Sequence, residues 1–438
     1  MSGNTRSIRR RTSALGVPVV TAMLLWLTAS VALGQVLPFD SVVQNLKSPD
    51  PKVRLETLRL LRDAGYPEAA GPVAAVMTDP LPQLQQEAIL TGLSFFLVEK
   101  VSTRRRVGGI VEVRSSAVVE DAFDAGPAAT RARPVPREVI RGLLGAMSSP
   151  EPRVRVQATY ALGVLARTAR SSADAALAAA VFDQLIVRLK DSDPFARIAA
   201  ARVSGRIASL CGSLCGEAGI DTLGDALVTA LNDRSLGVKV AVMEGLGDLR
   251  YQRAVRALTD QFEFYQKGDG ARAALFALGR IAHTASVPLF QAHLGDKDEV
   301  LRRASIEGAA RAGDKGSLPG LQAALGSERN LSLILALAFA VQRLGGGAML
   351  DRIVATLSQE RLCEQAQGYL IELGTPIAPA LTGYLTSAAE DVRLYVAQTL
   401  GLTGTPAEIA ALEAATRDGD AKVAAAAAWA IEMIRSRQ

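Results

Sequence analysis

The side chains that could do metal or nucleophilic chemistry in this chain are few, and their spacing forms no site. There are two histidines, His283 and His293, and three cysteines, Cys211, Cys215 and Cys363. No histidine lies near a cysteine in the sequence, so a zinc-ligand arrangement is absent. We therefore expect packed or solvated histidines, no catalytic residue, no metal site and no cofactor.

Two of the cysteines lie close enough to react with each other. Cys211 and Cys215 flank the predicted loop Gly212-Ser213-Leu214. In an oxidising compartment this pair could close a small disulfide loop. The alternative is two unrelated thiols, and the spacing leaves both open.

Acidic and basic residues recur four positions apart along the chain. The pairs are Asp50 and Arg54, Glu151 and Arg155, Asp193 and Arg197, and Asp298 and Arg302. An acid near a helix start interacts favourably with the positive end of the helix dipole, and the arginine can pair within or between units. The spacing predicts a structural ladder. The functional alternative is a row of arginines that binds an acidic ligand.

The elements that carry these residues repeat at a fixed period. Equivalent apolar residues of the last five units recur at a nearly constant interval, at Val300, Leu331, Leu362, Val392 and Val423. Such a period is typical of stacked repeats. Each unit reads as two helices joined by a polar turn, and an apolar face on each helix can be buried only against a neighbouring unit. We predict an all-α fold, an α-solenoid of stacked antiparallel helix pairs that forms a superhelix.

Local signals support these boundaries. Thr405 to Glu408 has the spacing of a capping box, and Gly345 has the position of a helix stop. Glycine costs about 1 kcal/mol relative to alanine inside a helix. Its recurrence in the second helices therefore predicts close backbone approach, at Gly163, Gly205, Gly247, Gly279 and Gly401. Trp429 should pack the terminal helix on the previous unit.

The repeated unit resembles a known family. The elements Asp193-Pro194, Val154-Arg155 and Ala161-Leu162-Gly163 are similar to those of HEAT repeats, especially the phycobilisome-lyase-like subtype. The resemblance implies a HEAT/armadillo-like superhelix of about ten to eleven units and an interaction scaffold. It rests on the stacking motif and on no chromophore-handling residue, so it does not imply bilin lyase activity.

The N-terminal segment 1–34 has the pattern of a bacterial export signal. Four arginines precede an apolar stretch from Ala14 to Leu33, and small residues lead up to Gly34. We expect cleavage near Gly34-Gln35 and a periplasmic or secreted protein. The alternative is an uncleaved segment that anchors the chain in the inner membrane, because the apolar run approaches the ~20 residues that span a bilayer.

The charge balance argues against nucleic acid as a partner. Four of the 49 basic residues lie in segment 1–34, and all 44 acidic residues follow it, so residues 35–438 have a formal net charge of +1. Binding to a phosphate backbone needs concentrated positive charge. We expect a protein partner, and contact with a membrane only if the N-terminal segment is retained.

One segment interrupts the repeats. We predict an N-terminal signal at 1–34, HEAT-like repeats at 35–98, an irregular insertion at 99–136 and the main solenoid at 137–438. The insertion carries acids at Glu120, Asp121 and Asp124. Long loops inside compact domains are often functional or disordered. It is therefore either a mobile loop with a short hairpin or a binding element that reaches over one face of the solenoid.

These observations favour a non-catalytic exported scaffold or adaptor that mediates protein–protein interaction through its repeat surface. The alternative is a ligand-binding or enzymatic, lyase-like protein with a site formed by the 99–136 insertion. Deletion of the insertion separates the two hypotheses.

Overall fold

The fold consists of stacked helix pairs. The computed structural model describes residues 39–98, 115–165, 175–211 and 216–437. Within these ranges the chain is helical apart from turns and one antiparallel β-bridge between Leu97 and Thr130. Successive pairs pack against each other along the chain. The predicted fold, an α-solenoid of antiparallel helix pairs, is confirmed.

The described residues form eleven helix pairs and one extra helix. The first helices of the pairs are α1 Phe39–Gln44, α3 Ala70–Val76, α6 Arg137–Ala146, α8 Ala175–Arg188, α10 Gly216–Ala230, α12 Val255–Tyr265, α14 Val287–His293, α16 Leu318–Ser327, α18 Leu350–Ala355, α20 Ala378–Leu381 and α22 Ile409–Ala415. Several of them are lengthened by a preceding 3₁₀ turn, for example Pro406–Glu408 before α22.

The second helix is the longer one in every described pair except the fifth, which begins with α10, and the second helices form the continuous layer of the stack. They are α2 Pro51–Ala64, α4 Pro82–Ser94, α7 Pro152–Leu165, α9 Pro194–Cys211, α11 Leu236–Leu249, α13 Gly268–Ile281, α15 Glu299–Arg311, α17 Leu331–Leu344, α19 Cys363–Leu373, α21 Glu390–Thr403 and α23 Ala421–Arg435. The extra helix, α5 Ser115–Asp124, lies between the second and third pairs.

Side-chain caps fix where the helices start. The Asp298 carboxylate accepts hydrogen bonds from the backbone N–H groups of Val300 and Leu301 at 2.9 and 3.4 Å. Such a cap satisfies N–H groups that have no partner within the helix. The predicted capping box at Thr405 and Glu408 is confirmed, and so is the helix stop at Gly345, whose φ is 78°.

Glycines let neighbouring second helices approach closely, as predicted. A Cβ atom at Gly247 would lie 2.9 Å from the Cα atom of Ala277 in the next second helix. A Cβ at Gly279 would lie 3.2 Å from the Cα of Gly308. These neighbours are backbone atoms, which cannot rotate away. Small residues therefore set the spacing of the layer.

The insertion is not wholly irregular, which corrects the prediction for 99–136. Residues 115–124 form α5, which packs on α4 and α7. Its buried residues Val119, Ala122 and Phe123 follow three- and four-residue steps, the period of a helix face. The acids Glu120, Asp121 and Asp124 lie among these residues in the sequence and obscure the apolar spacing of the helix. Residues 99–114 of the insertion, and with them the predicted short hairpin, lie outside the described residues.

The same segment connects the two ends of the stack. The indole N–H of Trp429 donates a hydrogen bond to the carbonyl of Thr130 at 2.8 Å, although the two residues are 299 positions apart. Trp429 also packs over Gly401, where a Cβ would lie 2.5 Å from the indole ring. The predicted packing on the previous unit is confirmed. One short segment thus contacts α7, α9 and α23, which are all second helices. From these contacts we infer that the stack is curved and that its second helices line the concave side.

Replacement of a stacking glycine tests this geometry. We expect Gly247→Ala to destabilise the solenoid by roughly 1–3 kcal/mol, because overpacking forces the backbone apart. Gly368→Ala, in the exposed part of α19 with no atom within 4 Å of the new Cβ, should be neutral or stabilising by up to about 1 kcal/mol. Urea unfolding followed by circular dichroism measures both. Equal effects of the two changes would contradict the proposed close contact.

Candidate interaction surface

The predicted ladder arginines connect consecutive units. Arg155 forms two hydrogen bonds with Asp191, at 2.8 and 2.6 Å, and Arg197 does the same with Asp233, at 2.7 and 3.1 Å. Arg54 lies 3.1 Å from Asp79. Each arginine therefore pairs with an acid of the following unit.

The same arginines also bind their own turn. Nη1 of Arg155 donates to the carbonyl of Ser149 at 3.0 Å, six residues earlier. Arg302 makes the equivalent bond to Asp296 at 2.7 Å and lies 3.6 Å from Glu328. One guanidinium thus ties the turn of its unit to the turn of the next. Bidentate charged hydrogen bonds of this kind are strong and directional.

The acids predicted to pair with the ladder arginines mainly cap helices instead. Asp50 accepts from the N–H of Lys52 at 2.9 Å, and Asp193 accepts from the N–H of Phe195 at 2.8 Å, so both cap helices. Asp298 caps α15 and also binds Arg272 of the preceding second helix at 2.8 Å. The hydrogen bonds that Arg155 donates to Asp191 are the main cause that raises the pKa of Arg155, and the charge of Glu151 adds a smaller effect in the same direction.

Sequence reasoning missed the acids that the arginines contact. Each lies two residues before the N-cap of a second helix and accepts the N–H of that N-cap residue, as Asp191 does from Asp193 at 2.9 Å. Asp418 repeats this with Asp420 and pairs with Arg393 at 2.7 Å. An acid two residues before each predicted cap was the available signal.

Burial and hydrogen bonds shift the pKa of a buried ladder carboxylate in opposite directions. Burial raises the pKa of Asp191, but hydrogen bonds from Arg155 and the N–H of Asp193 outweigh it and hold the pKa below its usual value. The hydrogen bond from Arg393 lowers the pKa of Asp418. The ladder is therefore charged at neutral pH. Its arginines are already paired with acids of this chain, which favours the structural interpretation over an acidic-ligand site.

The concave side carries a second charged band. Arg202 of α9 donates to Asp124 of α5 at 2.6 Å and lies 3.3 Å from Glu120. Its guanidinium is 5.2 Å from the centre of the Phe123 ring, and that of Arg206 is 3.7 Å from it, within the range of cation–π attraction. The insertion helix is thus seated on second helices through an aromatic ring and two acids.

Farther along the concave side lies a polar network of α15, α17 and α19. Arg311 binds Glu307 at 3.0 Å and both oxygens of Glu372 at 2.9 and 3.0 Å. The Tyr369 hydroxyl donates to Glu307 at 2.5 Å, and its ring stacks on Phe339 at 4.3 Å. Burial and the charge of Glu307 raise the pKa of Tyr369, so this phenol stays neutral. The network links three consecutive units rigidly.

The histidines are partly buried at the ends of helical elements, whereas Cys363 is buried. His283 accepts the N–H of Ala285 at 3.1 Å, and His293 pairs with Asp296 at 2.8 Å. Cys363 is buried and donates to the hydroxyl of Tyr395 at 3.2 Å. The proposed disulfide partner Cys215 and the side chain of Cys211 lie outside the described residues.

Metal-ligand clusters and membrane-spanning helices are both absent from the described ranges. Among the residues for which the structure gives positions, no three His, Cys, Asp or Glu side chains converge as metal ligands would. Within those same ranges, none of the helices combines the length and apolar character needed to traverse a bilayer.

Comparison with known proteins agrees with this architecture. The family model of HEAT repeats matches residues 266–341, and that of the single HEAT repeat matches residues 139–169. Two stretches of the α-solenoid therefore match HEAT repeats. No curated protein matches the chain in sequence.

Solved structures with similar coordinates are distant in sequence. An engineered protein is 16% identical, with 90% of this chain and 98% of that one covered and a TM-score of 0.40. Yeast importin-β (Kap95p) is 13% identical, with 90% of this chain and 55% of that one covered and a TM-score of 0.40. YibA of E. coli is 14% identical, with 78% of this chain and 100% of that one covered and a TM-score of 0.40. Because these TM-scores are low, the assignment of the fold as an α-solenoid rests on the two HEAT-repeat matches and on the helix contacts within this chain.

The Arg155–Asp191 pair can be tested by mutation. Its side chains are only 9% and 2% exposed, so Asp191→Asn leaves a buried guanidinium without its countercharge. We expect a loss of about 3 kcal/mol in the free energy of unfolding. The control is Arg256→Ala, which removes a 90% exposed partner of Asp260 and should cost less than about 1 kcal/mol. Urea unfolding that gives equal losses would contradict the role of the buried pair.

The ladder also predicts a pH dependence. The pKa of Asp191 is lowered on folding, so its contribution is present above the unfolded-state pKa of about 3.9 and is lost as pH falls through the folded-state pKa. The stability difference between wild type and Asp191→Asn should therefore be full at pH 6 and shrink below about pH 4. Unfolding curves at a series of pH values measure this. A difference that stays constant down to pH 2.5 contradicts it.

Proposed function

We propose that the chain is an exported, non-catalytic scaffold that binds a protein partner on the concave surface of its HEAT-repeat solenoid. HEAT repeats form extended curved surfaces suited to this role. The unit resembles the phycobilisome-lyase-like subtype in its stacking motif alone, so we extend no lyase activity to the chain.

The observation that carries the proposal is the seating of α5. A helical segment outside the repeats is held on the concave surface by Phe123, which contacts the ring of Tyr160 at 5.1 Å, and by ion pairs with Arg202. Aromatic residues and arginine are enriched among the residues that dominate binding energy at interfaces. The surface therefore has the chemistry that holds a folded polypeptide segment.

Beyond α5 the concave surface continues with charges of both signs. Glu244 lies 3.8 Å from Arg202, Arg280 pairs with Asp248, and Arg343 lies 3.6 Å from Glu372. Alternating charges favour complementary partners and disfavour a uniformly charged polymer. This suits a protein partner and agrees with the near-neutral charge of residues 35–438.

Export is the second part of the proposal. The arginines and the apolar stretch of segment 1–34 support a cleaved signal. We therefore propose a periplasmic or secreted protein, with the partner in the same compartment.

One crosslinking experiment tests both parts. A photoreactive amino acid is placed at Arg280, half exposed on the concave side, or at Arg256 on the first-helix surface as the matched control. The full chain is expressed in bacteria, and the cells are irradiated and fractionated. We expect one protein to crosslink at position 280 and not at 256, with the adduct periplasmic and its chain starting at Gln35.

The outcomes separate the two parts. Crosslinking only at position 256, or at neither position, contradicts the concave binding surface. A crosslinked chain that keeps its N-terminus and stays in the cytoplasm contradicts export and leaves the scaffold role intact.

A further inference from the structure

We propose that α5 covers a docking site on the concave surface, and that the partner binds this site with a helical segment whose acidic residues surround an aromatic ring. The identity of the partner class rests on the proposed function. The site itself rests on the contacts of this chain.

The stack is complete without α5. The first helices α3 and α6 pack against each other, and so do the second helices α4 and α7. The second and third pairs are thus in direct contact although the insertion separates them in sequence. Departure of α5 would leave this contact in place. The helix is therefore an addition to the solenoid, and a segment of this kind can be exchanged for another.

The centre of the α5 interface is a pocket for an aromatic ring. Phe123 is 1% exposed. A Cβ atom at Gly163 would lie 2.7 Å from the ring and 2.8 Å from Val203, so the missing side chain creates the space. The Tyr160 ring closes another side at 5.1 Å. A buried aromatic anchor in a fitted pocket is typical of the centre of a protein–protein interface.

Charged residues form the rim of this pocket. The side chains of Glu120 and Asp124 are 46% and 51% exposed and pair with Arg202. Arg206 donates to the carbonyl of Phe123. A buried apolar centre within a polar, solvent-accessible rim is the usual arrangement of interfaces between separable partners. Half-exposed ion pairs contribute little to folding, so this rim serves recognition more than stability.

Without α5 the surface would be positively charged. Arg202 and Arg206 lie on α9 and Arg280 lies on α13, and the acids beside them, Glu244 and Asp248, lie on α11 between these two helices. Burial and the charge of Arg202 lower the pKa of Arg206 to about 10. An arriving acidic segment would replace the charges that α5 now supplies. This defines the partner segment: acidic, helical and centred on an aromatic residue.

The covalent link makes α5 an effective competitor. Segments joined by short linkers act at effective concentrations in the mM range. An external segment of equal intrinsic affinity would therefore bind poorly to the wild-type chain. The site is closed in the absence of a partner, and weakening of α5 should open it.

A peptide-binding measurement tests the site. The probe is a labelled peptide with the sequence of residues 115–129. The opened variant is Glu120→Gln/Asp124→Asn in the full chain, and Asp121→Asn is the control, since it removes an acid with no ion pair to Arg202. By fluorescence anisotropy, we expect the probe to bind the opened variant at least tenfold more tightly than wild type, and the control like wild type. A probe carrying alanine for Phe123 should bind the opened variant at least tenfold more weakly.

An opened variant that gains no affinity would overturn the proposal. If that variant unfolds like wild type in circular dichroism yet binds the probe no more tightly, α5 covers no docking site. If it does not fold, Phe123→Ala in the full chain takes its place and leaves Gly163, Tyr160 and Val203 unchanged. Arg202→Ala added to either opened variant should abolish binding of the probe. Unchanged binding would place the peptide elsewhere and reject the site.

The partner class is tested with the protein captured by crosslinking at position 280. The opened variant should crosslink more of it, and the peptide of residues 115–129 should reduce the yield. A partner that crosslinks equally to both forms and is unaffected by the peptide contradicts the acidic-helix class and leaves the scaffold function standing. Capture of no partner contradicts the scaffold function, while the peptide measurement still decides whether the site exists.

Discussion

The structure depends on one constraint: each second helix has an apolar face that its own first helix cannot cover. Neighbouring second helices bury it, and small residues let them do so at short distance, as Gly247 does against Ala277. Burial of apolar surface is the main favourable term in folding. Because the contact recurs at every unit, stability is spread along the stack, and no single core is needed.

The polar features follow from this stacking. The ladder forms because the start of each second helix lies beside the turn of the next unit, which brings Arg155 to Asp191 and Arg197 to Asp233. On the concave side, stacking places charged residues of successive helices in one band, from Arg202 to Glu372. The buried pairs of the ladder fix the register between units, whereas the half-exposed pairs at α5 leave room for exchange.

The closure between Trp429 and Thr130 shows how curvature gives the insertion its place. A straight stack of eleven pairs would hold these residues far apart. In the curved stack, the segment after α5 meets the last second helix, and Val98, Ala128 and Ala132 join the apolar cluster of the C-terminal units. The insertion is thus in contact with both halves of the solenoid. Binding of another molecule on the concave surface would therefore affect the contacts of the insertion.

The sequence by itself determined the repeat, the helix pairs, the caps and the close approach at the glycines, because these depend on periods and on residues a few positions apart. Gly345, Thr405 and Trp429 behave as their local signals predicted. It did not reveal α5, since the acids of that segment masked the spacing of Val119, Ala122 and Phe123. The tertiary structure decided which charges meet. The position before the cap marks Asp191 as a candidate but does not identify Arg155, 36 residues away, and no local signal marks Arg202 and Asp124, which are 78 residues apart. Such pairs depend on the rotation between successive units, which accumulates along the stack and is not encoded in any one repeat.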